Sequence, residues 1–142
     1  MSNQEILQEL TASTHDEKPL TGFCPRYHHA VELIGRRWSG AILRVLISGP
    51  RRFHELLSSI PGLSDRLLSE RLRELEAEKI VIRRVLPGPP VKVQYELTEA
   101  GHDLEVAVRA IASWAEKWLP ASAAQAHEEP GCDAVACHEE GA

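Results

Sequence analysis

The 142-residue chain has no long apolar run. Its apolar stretches are as short as Ala41-Ile42-Leu43, and charges interrupt all of them, so nothing approaches a membrane span. It is also poor in cysteine, with three. Cys132 and Cys137-His138, with His127 upstream, lack the paired short C-x-x-C spacings of a zinc module, so no metal site is expected. His28 and His29 are adjacent on a predicted helix and point apart, so they are not a ligand pair. Catalytic signatures are missing too. There is no Gly-rich phosphate loop, no H-E-x-x-H, no G-x-S-x-G and no paired-carboxylate site. No catalytic residue, no cofactor and no enzymatic activity is expected. Met1 is followed by polar residues and an acidic helix, without a basic start or an apolar h-region, and the expectation is a cytoplasmic protein. In that compartment structural disulfides are not expected.

What is present is an ordinary globular composition, 43% apolar and 26% charged, enough for one modest core. The net charge of −5 is unevenly spread. Residues 1–19 carry −3 and residues 121–142 carry −5, whereas 20–120 carry +3. Local patches decide phosphate binding, so the negative total does not exclude DNA. The expected organisation is an N-terminal dimerisation helix and linker over 1–19, one domain over 20–120, and an acidic, disordered tail over 121–142.

The pattern along the chain is helical until residue 79. Ile6, Leu7 and Leu10 share one helical face. Pro25 fits the first turn of a helix carrying Ala30, Val31, Leu33 and Ile34, ended by Gly35. A further helix over Ser39–Ile47 stops at Gly49-Pro50. Phe53 to Ile60 runs into the breaker Pro61-Gly62, and Ser64 opens a helix over Asp65–Lys79 with leucines at 68, 72 and 75. Two strands follow, Ile80–Leu86 and Val91–Leu97, around Pro87-Gly88-Pro89-Pro90. Thr98 caps the last helix, which carries Leu104, Val108, Ile111, Ala115 and Trp118. The fold class is therefore mainly α with a small antiparallel β-hairpin, a winged helix-turn-helix, dimerised through terminal helices.

At about 100° per residue, Leu68, Leu72 and Leu75 point to the core. Arg66, Ser69, Glu70 and Arg73 point the opposite way, with Asp65 at the exposed N-terminus. Arginine reads guanine bidentately, serine reaches base or phosphate, and glutamate accepts from cytosine N4. Asp65, Arg66, Ser69 and Glu70 are the candidates for base edges, and Arg73 for phosphate. Arg71 flanks the core face and reads as an intramolecular ion-pair partner. Arg51 and Arg52, before the first helix of the pair, and Arg83, Arg84 and Lys92, on the hairpin, are candidate backbone contacts; at least one of Arg83 and Arg84 must face away from the sheet's apolar side. The competing reading of all these charges is a solvated helix face. The turn before the helix and the hairpin after it favour DNA.

The motifs Cys24-Pro25, Leu33-Ile34-Gly35-Arg36-Arg37-Trp38, Gly49-Pro50-Arg51-Arg52-Phe53, Ile60-Pro61-Gly62-Leu63-Ser64, Arg71-Leu72-Arg73-Glu74-Leu75-Glu76 and Tyr95-Glu96-Leu97-Thr98-Glu99-Ala100-Gly101 together resemble the HxlR family of winged-helix transcriptional regulators, over roughly 24–119. The resemblance implies a homodimer on a palindromic operator, a repressor by expectation. It also implies sensing of oxidants, electrophiles or aldehydes through a cysteine at the position of Cys24. Read from the residues, Cys24 has two accounts. The positive end of the following helix, with Arg26 and His28 nearby, supplies the ingredients of a reactive thiol. A small buried packing residue is the other account, and the one the residues alone favour.

The dimer follows from the residues as well. Leu104, Val108, Ile111, Ala115 and Trp118 form a long apolar seam, which with Ile6, Leu7 and Leu10 exceeds what one small domain can bury. Packing of these helices onto their own core is the alternative. Trp38, Trp114 and Trp118 read as core or interface before they read as an effector pocket. A winged-helix module for protein–protein docking, without specific DNA binding, is the competing function.

Overall fold

The computed structural model of the chain describes residues 19–122. It divides into two compact units, 1–32 and 33–142, and the boundary falls inside the first described helix, α1 (Pro25–Gly35). In the first unit Pro25 opens α1 and Cys24 immediately precedes it, its carbonyl accepting from the His28 N–H at 3.0 Å. His28 pairs with Glu32 one turn on, at 3.3 Å, and stacks obliquely on Phe23. Ile6, Leu7 and Leu10 lie outside the described residues.

The second unit holds α2 (Ser39–Ile47), β1 (Arg51–Arg52), α3 (Phe53–Ser59), α4 (Asp65–Ala77), β2 (Val81–Leu86), β3 (Lys92–Leu97), α5 (Glu99–Asp103) and α6 (Glu105–Trp118). The three strands form one antiparallel sheet in the order β1-β3-β2. This is a winged helix-turn-helix, the fold expected from the sequence. Its core joins Ile42, Leu43 and Leu46 of α2, Leu56 of α3 and Leu68, Leu72 and Leu75 of α4, all at most 2% exposed. Burial of each such side chain contributes about 1.5–3 kcal/mol.

Local chemistry sets the ends of the elements. The Glu55 carboxylate accepts the Arg52 N–H at 2.9 Å and closes the start of α3. That bond, helped by the charges of His54, Arg52 and Arg51 and opposed by desolvation, holds its carboxyl below the ordinary carboxylate range. Gly62 sits at φ +83°, and a Cβ there would lie 3.3 Å from the Trp38 ring, so the turn between α3 and α4 needs glycine on both counts. Ser64 accepts the Leu67 N–H at 3.2 Å as the N-cap of α4.

Several boundaries differ from the sequence reading. Helix α4 ends at Ala77 rather than Lys79, because Lys79 takes a left-handed conformation at φ 59°. The N–H groups of Lys79 and Ile80 then turn back onto the carbonyls of Glu76 (3.0 Å) and Leu75 (2.9 Å), the bonding of a Schellman stop. Ile80 is thereby spent on the helix end, and β2 starts at Val81. At the other side of the hairpin β3 starts at Lys92, not Val91. Strand β1 was not expected; Arg51 pairs with Tyr95 and Arg52 with Gln94.

The single last helix is a further correction, since it is broken in two. Thr98 caps only α5, accepting the Gly101 N–H at 3.2 Å while its hydroxyl reaches the Lys79 carbonyl at 2.6 Å. The Leu104 N–H then bonds Gly101 three residues back, at 3.2 Å, a tight turn from which α6 sets off. Gly101 is buried, and a Cβ there would stand 2.3 Å from the Ile80 carbonyl oxygen and 3.0 Å from Leu97.

Both obstacles are backbone or a buried side chain, so they cannot swing away. Gly101→Ala is expected to destabilise the chain by about 1–3 kcal/mol through overpacking. Ala100→Gly, at the exposed neighbouring position, provides the comparison in urea or thermal unfolding. A loss at position 101 no larger than at position 100 contradicts the close approach.

Candidate nucleic-acid interface

The leucine seam of α4 buries one side of the helix and so fixes which side is presented. Asp65, Arg66 and Arg73 are exposed, and Ser69 and Glu70 are half-buried beside them. Arg66 bonds Glu70 one turn on, at 3.2 Å, with Arg66 87% exposed. A surface pair of this kind is worth only a few tenths of a kcal/mol, so either group is released at small cost to a base or phosphate. Arg73 makes no ion pair among the described residues.

Arg71 behaves as its place on the helix implied. It is 14% exposed, its guanidinium meets Glu74 at 3.1 Å, and its Nε donates to the Arg37 carbonyl at 2.9 Å. Glu74 also receives Arg36 at 2.7 Å. The middle of α4 is thus fastened to the segment between α1 and α2, which also carries Trp38. The Arg37 guanidinium lies 5.2 Å from the centroid of that indole. This clamp was only half legible in sequence, because Arg36 and Glu74 are 38 residues apart.

The sheet brings the remaining arginines together. Arg51, Tyr95 and Arg83 form one row across the three strands, and Arg52, Gln94 and Arg84 the next. Their commitments differ. Arg51 donates to the Pro50 carbonyl and the Ser48 hydroxyl, both at 2.9 Å. Arg84 is paired with Glu96. Arg83 and Lys92 are exposed and unpaired among the described residues. Arg83 is therefore the free member of its adjacent pair.

The apolar seam expected on the last helix is divided. Leu104 packs against the chain's own core. Val108 lines a polar cleft of about 500 Å³ between α2 and α6, with Arg44, Ser48, Arg109 and Glu116. Ala115 is half-buried. Ile111, Trp114 and Trp118 stand 55–64% exposed on the other side of α6. Trp38 lies under Gly62, and no tryptophan lines the cleft. Cys24 is exposed, which corrects its reading as a buried packing residue. No group of metal-ligating side chains occurs among the described residues, and none of their helices is long and apolar enough to cross a membrane.

Burial ranks the two ion pairs on Glu74. In a double-mutant cycle, Arg71–Glu74 is expected to couple by about 0.5–1 kcal/mol and the half-exposed Arg36–Glu74 by less. A larger coupling for Arg36 would mean that the clamp is held from the solvent side.

Comparison with known proteins agrees with this geometry. The HxlR-like helix-turn-helix model matches residues 33–123. The HTH-type transcriptional regulator YodB of Bacillus subtilis (strain 168) is 44% identical over 117 residues, covering 82% of this chain and 95% of that protein. Quinone-bound YodB from B. subtilis superposes with a TM-score of 0.60 at 42% identity, covering 68% of this chain and all of the other. The redox regulator HypR in its reduced form superposes at 0.61 with 38% identity, covering 65% and 91%.

Proposed function

The chain belongs to the HxlR-like helix-turn-helix family and is a DNA-binding transcriptional regulator, and from that premise we propose that it acts as a homodimeric repressor switched at Cys24. The observation that carries the DNA reading is the two-sided α4: Leu68, Leu72 and Leu75 buried, Asp65, Arg66 and Arg73 outward. Asp65, Arg66, Ser69 and Glu70 read base edges in the major groove, and Arg73, Arg52, Arg83 and Lys92 meet phosphates. Arg51 and Arg84 serve there only when their internal partners release them.

A second copy covers the exposed stripe of Ile111, Trp114 and Trp118 on α6. Pairing across a two-fold axis sets two recognition helices about 34 Å apart, one turn of a palindromic operator.

Exposure of Cys24, and its place at the start of α1, support a thiol that meets reagents from solution. The likeness to quinone-bound YodB and to the redox regulator HypR supports electrophiles and oxidants as the signal. With a quinone, the Cys24 thiolate adds to a ring C=C, forming one C–S bond. The π pair passes to a carbonyl oxygen that takes a proton from water, and the C–H proton of the attacked carbon moves through water to the second oxygen, leaving a substituted hydroquinone. That adduct adds bulk at the start of α1.

The test is fluorescence anisotropy of the full chain on the DNA upstream of its own gene against a scrambled duplex, with and without diamide. Specific binding lost in diamide and retained in Cys24→Ser is expected. Arg66→Ala should cost about 1–3 kcal/mol on the specific duplex, and Arg73→Ala should weaken binding across sequences and lower the salt slope by about one. Specific binding indifferent to diamide removes the thiol switch but not the regulator. Equal binding to scrambled DNA removes the operator reading.

A further inference from the structure

The far end of the hairpin has a composition unlike the rest of the DNA-facing surface. Between Arg84 and Lys92 the chain reads Val85-Leu86-Pro87-Gly88-Pro89-Pro90-Val91, seven residues without a charge or a side-chain hydrogen-bonding group. Val85 is 52%, Leu86 38% and Val91 64% exposed. Single exposed apolar residues are commonplace, but a continuous apolar tip on a protruding hairpin is not. Its three prolines lack N–H donors and fix φ, so the tip is stiff and has little to offer but apolar surface.

Charge identifies the partner. Arg83 and Lys92 flank the tip, exposed and unpaired among the described residues. A partner matching this pattern is anionic at its rim and apolar within. A DNA groove answers both conditions, with phosphates along its edges and stacked bases behind them. The location agrees, because β2 and β3 share their sheet with β1, which leads directly into the helix-turn-helix. A paired ribbon, with strands about 4.8 Å apart plus side chains, is too wide for a minor groove of about 6 Å. The narrow turn alone can enter, and apolar side chains at such a turn are the kind that wedge between base steps.

We propose that the Val85–Val91 tip is an apolar wedge that enters the minor groove beside the recognition-helix site and partly unstacks one base step. The inference rests on the DNA-binding reading above. The penalty for unstacking is lowest at flexible pyrimidine–purine steps. The wedge therefore selects TA or CA/TG at positions that no side chain reads by hydrogen bonds.

The probe is a duplex selected by the full-length protein from a randomised pool, with 2-aminopurine replacing adenine at successive positions outside the recognition-helix site. Saturation is expected to raise the fluorescence several-fold at one step on each side. Leu86→Ser and Val91→Ser should abolish the rise and weaken binding to that duplex by about tenfold, leaving random duplex within about twofold and the melting temperature unchanged. Leu86→Met, which keeps the bulk, should retain the signal. Specific binding with no rise at any position, or serine variants that bind as tightly as the parent, overturns the wedge and leaves the regulator standing. A serine variant that shifts the sedimentation behaviour but not the fluorescence assigns the tip to a contact between copies and also overturns it. Failure to select any duplex removes the operator reading, and the wedge falls with it.

Discussion

Burial of Leu68, Leu72 and Leu75 in the core shared with α2, α3 and the sheet is the constraint on which the rest of the molecule depends. A helix with one face fixed in a core has no freedom about its own axis. The rotation that hides those leucines is the one that turns Asp65, Arg66 and Arg73 outward. The face that α4 presents and the stability it supplies are therefore not separable. A core substitution that rolls the helix by a fraction of a turn would re-aim the outward side chains without touching one of them.

The sheet extends the same logic to the wing. Strand β1 is two residues long and contributes little burial of its own. Its effect is to bind the chain entering the helix-turn-helix to β3, so that the hairpin and the first helix of the motif share one frame. Arginines from two distant segments of the sequence, β1 and β2, thereby fall into two adjacent rows across β3. Within those rows Arg84 is neutralised by Glu96 while Arg83 is not. A chain with a net charge of −5 can thus carry a locally cationic surface.

The parts of this arrangement that were legible in the sequence are those written in local periodicity. The leucine spacing of α4, the Ser64 cap, the Pro61-Gly62 turn and the alternating hairpin residues are short-range signals. The intramolecular use of Arg71 followed from its place beside the core face. What was not legible depends on distant partners or on a backbone state the residue type does not announce. Lys79 in a left-handed conformation occupies a position where glycine is usual, so no sequence signal marked the stop. Strand β1 is too short to show a period. Of the candidate site residues, those on α4 could be placed by counting turns. The commitments of Arg51 and Arg84 could not, because the groups that hold them are chosen by the fold.

The segment Arg36-Arg37-Trp38 shows how local strain is made useful. Trp38 adopts φ 76°, a conformation that costs a bulky residue on the order of 1–2 kcal/mol. It persists because its neighbours over-determine it. The indole lies against Gly62, the Arg37 carbonyl accepts from Arg71, and Arg36 reaches Glu74. The strained residue lies against the turn at Gly62, and the two residues before it are bonded to α4. A substitution relaxing Trp38 would release the turn before α4 and the clamp at its middle together. Helix α4 is thus held at three places, its leucine seam, its leading turn and its clamp, and two of the three pass through one short segment between α1 and α2.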